Sequence, residues 1–330
     1  MIETFDTGTA FADPIDPAPS QAQPMPTKVR LASARAWVRD IRLGRLGSLD
    51  HDPPKPLRVR VNYHRTTFPK STPSLTIVTP TLNHAEYLAH TITSVVSQGH
   101  PRLEYVVQDG GSHDETCDIL RQCNGVLTRW ESSSDRGQAH AINKGFAGTS
   151  GEIMAYLNSD DLILPGALAY VSRYFAEHPE VDVVYGHRVL IDLHGRDVGR
   201  QVLPPHDDAV LAWADYIPQE TLYWRRRTWD LIGGEIDESF QFAMDWDLLL
   251  RFADIGACIH RLPRFLGAFR VHPDQKTQAC WTLGEQEMFR LRARVHGRDV
   301  DYPEIHANIE GYLKRHRRYQ RLYRFGLLWH

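Results

Sequence analysis

A chain of 330 residues, 42% hydrophobic and 24% charged, has the length for one large or two ordinary domains with a sizeable core, which excludes a disordered or fibrous protein. No run of about 18 uncharged apolar residues occurs, which argues against a spanning helix. The net charge of −3 hides a split: residues 28–46 hold six Lys/Arg against Asp40, residues 312–330 hold six and no acid, and the remainder carries −14.

Residues 1–27 are rich in Pro, Ala, Asp and Thr without an apolar period and read as disordered. They lack the basic and apolar regions of a secretory signal. Residues 28–46 repeat apolar positions at helical steps and predict a basic helix. After a Pro-rich break, residues 57–61 alternate like an edge strand, and Pro69 and Pro73 punctuate a linker, so 28–72 form one segment. From residue 73 the rhythm is strand–helix. Strands are predicted over 75–79, 103–108, 126–130, 152–157 and 181–185, with helices over 84–98, 114–123, 138–146 and 165–178. This alternation predicts an α/β fold with a mostly parallel sheet covered by helices on both faces. A helix over 239–253, a strand over 265–269 and a polar helical tail over 279–330 complete the chain. Cys117, Cys123, Cys258 and Cys280 form no CxxC pair, which favours a reducing cytoplasm over a disulfide framework or zinc site.

In open α/β sheets ligands bind beyond the carboxyl ends of the strands. Four such ends here are Thr79-Pro80-Thr81-Leu82-Asn83, Asp109-Gly110-Gly111-Ser112-His113-Asp114, Ser134-Asp135-Arg136-Gly137-Gln138 and Asn158-Ser159-Asp160-Asp161. All are polar and three are acidic. Neither a G-x-G-x-x-G nor a P-loop is present, so a dinucleotide fingerprint and an ordinary nucleotide-triphosphate loop are both missing. Successive carboxylates suit a hard cation, Mg²⁺ or Mn²⁺, held together with substrate phosphates. Each motif also has a local reading: Asp160-Asp161 as a helix cap, and Asp109-Gly110-Gly111-Ser112 as a tight turn.

The four motifs, in that order, resemble those of glycosyltransferase family 2, the GT-A-fold enzymes that use nucleotide-diphospho-sugars. Residues 242–251, around Met244-Asp245-Trp246-Asp247, resemble the family's acceptor-side acidic motif, and residues 269–277 its Arg–His loop. The resemblance covers about residues 73–278 and implies a Rossmann-like GT-A domain there. It implies that Asp109 contacts the base and that Thr79 and Pro80 line the nucleoside pocket. The stretch from Asp135 to Lys144 would lie by the ribose, diphosphate and sugar. Asn158, Asp160 and Asp161 would form the DXD motif, with Asp160 and Asp161 on the metal. Asp245 would be the catalytic base, and Arg270, His272 and Lys276 would lie on the donor side. Two positions depart from the pattern: Asn158 replaces the usual first Asp, and Met244 replaces a common Glu.

The reaction so implied is a single inverting displacement. Asp245 accepts the acceptor hydroxyl's proton, a divalent cation stabilises the leaving diphosphate, and Lys276 or Arg270 suits neutralising it further. The bland reading of Asp245 is a first-turn carboxylate favouring the helix dipole. A sugar-nucleotidyltransferase is the second reading, though the first strand's loop lacks that class's Gly-rich basic character. A non-catalytic nucleotide-sugar-binding module is the third. The expected partners are a nucleotide-diphospho-sugar and a glycan or lipid-linked acceptor, in polysaccharide or glycoconjugate assembly. The basic segments 28–46 and 312–330 suggest contact with the cytoplasmic face of a membrane, against a helix packed on the acidic domain; no nucleic-acid reader motif accompanies them.

Overall fold

A computed structural model describes residues 52–272 and 281–328. The expected disorder over 1–27, the helix over 28–46 and Lys276 lie outside the described residues. Among those described, nine strands form one sheet: β1 Leu75–Thr81, β2 Leu103–Asp109, β3 Arg129–Ser132, β4 Ile153–Tyr156, β5 Leu162–Ile163, β6 Val183–Ile191, β7 Asp197–Gln201, β8 Tyr223–Arg225 and β9 Ile259–Arg270. The helices are α1 Val61–His64, α2 Ala85–Val96, α3 Thr116–Gln122, α4 Gln138–Phe146, α5 Ala167–Glu177, α6 Asp208–Leu211, α7 Arg226–Leu231, α8 Met244–Asp254, α9 Trp281–His296 and α10 Tyr302–Arg324.

The strand order is β3-β2-β1-β4-β8-β6-β9-β5, with β7 on β6. β3, β2, β1 and β4 run parallel, as the βα rhythm predicts. β8 is antiparallel to β4 and β6, β6 and β9 are parallel, and β5 returns antiparallel on β9. β1 is buried throughout, as a central strand covered on both faces must be. On one side Leu75 and Ile77 pack with Leu88 and Ile92 of α2. On the other, α4 comes so close that a Cβ on Gly145 would lie 2.3 Å from Val78 Cγ1. Pro80 has no N–H to give a ladder, and it stands past Val78, where pairing with β4 stops.

Several expected boundaries move. Residues 57–61 form no strand: Leu57 and Val59 pack inward between exposed Arg58 and Arg60, but the only bridge of this stretch is Lys55 with Asp197. Pro53, Pro54 and Pro56 withhold the donors a ladder needs. β3 starts at Arg129, because the N–H groups of Val126 and Leu127 are still closing the end of α3 onto the Cys123 carbonyl. β9 extends well before residue 265. The polar tail folds as two helices, and α10 buries Ile305, Ile309, Tyr312, Leu313 and His316. Its Tyr312 packs on Tyr216 at 4.5 Å, Arg315 pairs with Asp207, and Gln320 Nε2 donates to the Arg200 carbonyl at 3.1 Å.

Two buried histidines make stability depend on pH. His100 Nδ1 accepts the Arg102 N–H at 3.1 Å, and its ring is bonded to Ser172 Oγ at 3.2 Å. Burial first, and Arg102 second, lower its pKa from 6.5 to about 4, and burial does the same to His316. The unfolded chain therefore binds protons that the fold refuses. This stability is present above pH 6.5 and is lost as pH falls toward 4, by about 3 kcal/mol for each histidine. Urea midpoints are expected to drop across that window, and His100→Gln to flatten the slope; an unchanged slope would exclude His100 as a source.

Candidate active site

The topology gathers the acidic motifs at one edge. β1, β2 and β4 end together, at Thr81, Asp109 and Tyr156. Pairing of Leu162 with Ala268 and Ile163 with Gly267 then sets the end of β9 beside the loop that follows β4. As a result, His272 Nε2–H donates to Asp160 Oδ2 at 3.0 Å, and His84 Nδ1 is bonded to Ser159 Oγ at 2.7 Å. His272 Nδ1 is buried without a hydrogen-bond partner among the described residues.

Asp160 and Asp161 part company. The Asp160 side chain keeps 16% of its surface exposed. Asp161 is 1% exposed, and its carboxylate accepts the Arg270 N–H at 3.1 Å. Burial, reinforced by the charges of Asp160 and Glu220, holds the Asp161 carboxyl well above the usual carboxylate range. A group so enclosed is a poor cation ligand. Among the described residues, no three His, Cys, Asp or Glu side chains are grouped so as to hold a metal ion. The donor set therefore fits a cation bound through Asp160 and completed by substrate oxygens, the usual habit of Mg²⁺. Arg270 is also turned to structure: Nε donates to the Asp160 carbonyl at 2.9 Å and Nη1 to those of Asp192 and Leu193. Its guanidinium lies 5.0 Å from the Tyr87 ring centre.

At the other end of the edge, Thr79 is buried and its Oγ1 lies 3.1 Å from Tyr105 Oη; Pro80 is buried beside it. Asp109 is buried as well, and its carboxylate receives the N–H groups of Gly111 and Ser112 and the hydroxyls of Ser112 and Ser132. Three of these four bonds fall on Oδ2 and only the Ser112 hydroxyl on Oδ1, so the carboxylate closes the Gly-Gly turn and keeps accepting capacity on Oδ1. Asp135 Oδ1 accepts the Gly137 N–H at 2.8 Å, while Oδ2 lies 2.8 Å from where a Cβ on Gly110 would stand, so Gly110 leaves room for it. Lys144 Nζ is bound to Glu131 at 2.9 Å and Ser133 at 2.6 Å, on the β3 side. Asn158 Oδ1 accepts from Gln138 Nε2 at 2.7 Å and its Nδ2 donates to Gln219 Oε1 at 3.2 Å. A carboxamide can make this donor–acceptor bridge and an aspartate cannot, which accounts for Asn at this place.

Asp245 is the second residue of α8 and is half-buried, with Oδ1 accepting the Trp246 N–H at 3.0 Å. The neighbouring acid, Asp247, is fully buried and paired with Arg251 at 2.8 Å and Arg294 at 2.5 Å. The helix does not begin at residue 239. The N–H groups of Gln241, Phe242 and Ala243 all donate to the buried Glu287 carboxylate at 2.8–2.9 Å, so a residue of α9 caps α8. Burial raises the Tyr156 phenol pKa, and the charges of Asp245, Asp215 and Asp161 add to it. Asp215 is raised by burial and then by Asp245. The acid at the start of α8 thus lies within electrostatic reach of Tyr156 at the end of β4, two residues before Asn158.

The profile of glycosyl transferase family 2 matches residues 76–244, just over half of the chain. The chain belongs to glycosyl transferase family 2. It is similar to the O-antigen biosynthesis protein RfbC of Myxococcus xanthus, 30% identical over 192 residues, which are 57% of this chain and 15% of that protein. The fold is similar to that of S. aureus TarS 1-349 in complex with UDP-GlcNAc, with a TM-score of 0.55 at 19% identity over 74% of this chain and 72% of that one; the chain spans 43% of a longer TarS chain. It is also similar to the mannosyltransferase PcManGT from Pyrobaculum calidifontis in complex with GDP-Man and Mn²⁺, with a TM-score of 0.54 at 19% identity over 84% of this chain and 76% of that one. The sheet is the GT-A-like sheet that the motifs implied.

This family 2 glycosyltransferase uses residues that sequence reasoning passed over. Gln219 holds Asn158 and donates from Nε2 to the Tyr156 carbonyl at 2.8 Å. Glu220 binds Arg188 through both oxygens, at 2.9 and 2.5 Å, beneath the Asp160-Asp161 loop. Pro218-Gln219-Glu220-Thr221, a polar cluster ahead of a strand, was a visible signal; Glu287, inside a polar helix, offered none.

Proposed function

We propose that this glycosyltransferase transfers a sugar from a nucleotide-diphospho-sugar to an acceptor hydroxyl with inversion, in polysaccharide or glycoconjugate assembly. The observation that carries the reading is the seating of a partly exposed Asp160 by His272 at the strand-end edge of a chain whose residues 76–244 match family 2, with Asp245 within electrostatic reach of Tyr156 at the end of β4. Asp245 takes the proton of the attacking hydroxyl as the new bond forms at the anomeric carbon and the nucleoside diphosphate leaves. Asp160, held by His272, is the protein ligand for Mg²⁺ or Mn²⁺, which when bound neutralises charge on the leaving diphosphate. Asp161 and Arg270 position that loop rather than touch the donor. Thr79 and Pro80 wall the nucleoside end, and Asp109, whose Oδ1 accepts only the Ser112 hydroxyl, takes a base N–H there. Lys276 is kept as a phosphate partner. The similarity to RfbC, an O-antigen biosynthesis protein, supports the biosynthetic setting, and that to PcManGT, in complex with GDP-Man and Mn²⁺, supports the metal.

The test is a panel of nucleotide sugars with Mg²⁺ or Mn²⁺, read by release of the nucleoside diphosphate. One donor is expected to turn over, to lose roughly a hundredfold or more of its rate in excess chelator, and to recover with Mn²⁺. Tight donor binding without release from any donor would establish a binding module instead. Formation of pyrophosphate from a sugar phosphate and a nucleoside triphosphate would establish a nucleotidyltransferase.

A further inference from the structure

We propose that the outward face of α10 is a docking surface for an anionic lipid bilayer. Packing fixes which face this is, because Ile305, Ile309, Tyr312, Leu313 and His316 are buried against the domain. Positions three and four apart on a helix share a side. Lys314, Arg317, Arg318 and Arg321 follow that spacing on the opposite face, and with Leu322 and Phe325 they line one open concavity.

The charges on this face are available. Arg315 is spent on Asp207, and Lys314 is paired with Glu310 at 3.0 Å. Arg317, Arg318, Arg321 and Arg324 are exposed, and Arg317 alone of the four shares the field of an acid on this helix, Glu310. The helix then ends in Phe325 and Leu327, which are 78% and 64% exposed. A polyanion such as nucleic acid would use the arginines and leave these two side chains in water. A bilayer uses both, with arginines at the headgroups and the apolar end in the interface. None of these residues belongs to the site around Asp160 and Asp245, so the surface stands apart from the reaction proposed above. No helix among the described residues is long and apolar enough to cross a membrane, so the contact is peripheral.

The experiment is sedimentation of the full chain with phosphatidylcholine vesicles, with and without phosphatidylglycerol, at low and high salt. Pelleting is expected only with the anionic vesicles and is lost at high salt. The triple variant Arg317→Gln/Arg318→Gln/Arg321→Gln is expected to bind them on the order of 10²-fold more weakly. Phe325→Ser is expected to weaken binding to the anionic vesicles at low salt. Circular dichroism and nucleotide release with a water-soluble acceptor should match the parent, which separates loss of docking from loss of fold or of catalysis. Equal pelleting with neutral vesicles, no pelleting with anionic ones, or a triple variant that binds like the parent would each overturn the proposal. So would binding to duplex DNA in the absence of vesicle binding.

Discussion

Replacing Asp245 with asparagine is expected to lower turnover by roughly 10²–10⁴-fold, the usual contribution of a positioned general base, while donor binding measured by calorimetry stays within a few-fold. The substitution keeps the shape of the side chain and the acceptor oxygen for the Trp246 N–H. What it removes is a base strong enough to take a hydroxyl proton. The competing role, a first-turn carboxylate favouring the helix dipole, would appear instead as a loss of about 0.3–1 kcal/mol in stability with turnover intact. Asp247→Asn is the reciprocal control. That carboxylate is buried between Arg251 and Arg294, so its loss should lower the unfolding midpoint more than it alters chemistry. If Asp245→Asn retains turnover near the parent's, Asp245 is not the base.

Glu220→Gln is expected to cost about 3 kcal/mol in urea unfolding, toward the lower end for removing one member of a buried ion pair. The Glu220 side chain is fully buried and that of Arg188 is 14% exposed, so the guanidinium left behind has lost its charged bidentate partner and is poorly solvated. The loss is held down by the neighbours. Asp161 and Asp215 lie within electrostatic reach of Arg188, and Glu220 is one of the charges that raise the Asp161 carboxyl above the usual carboxylate range. With Glu220 neutral, Asp161 ionises more readily and takes over part of the pairing. Arg188→Met/Glu220→Leu, which removes both charges and fills the space, should recover most of the stability. A double variant as unstable as the single one would show that packing, rather than the unpaired charge, sets the cost.

The half of the sheet that carries the motifs was legible because its signals are local. β1, β2 and β4 are short apolar runs bounded by polar turns, and α4 begins and ends where its apolar period does. What escaped depends on partners far along the chain. Leu57 to Val61 has a strand's alternation but no neighbour to ladder with. The start of α8 is set by Glu287, and no window around Met244 contains it. In the site, residue types were readable and their orientation was not. Adjacent aspartates at 160 and 161 look alike as letters, yet the pairing of β5 with β9 places one against a histidine near the surface and encloses the other. Asp109, Lys144 and Arg270 likewise have chemistry that suits a donor, and each also makes hydrogen bonds within the protein that no local window shows.

The reach of Glu287 back to α8 also orders events in time. A chain leaving the ribosome presents β1 to β4 and the Asn158–Asp161 loop first, and Asp245 follows. The three N–H groups ahead of that acid find their acceptor only when residue 287 has emerged and α9 has docked. Donor-side parts are thus made before the acceptor that seats the proposed base, so a nascent chain halted before α9 carries every motif that identifies the family and lacks the cap that holds α8.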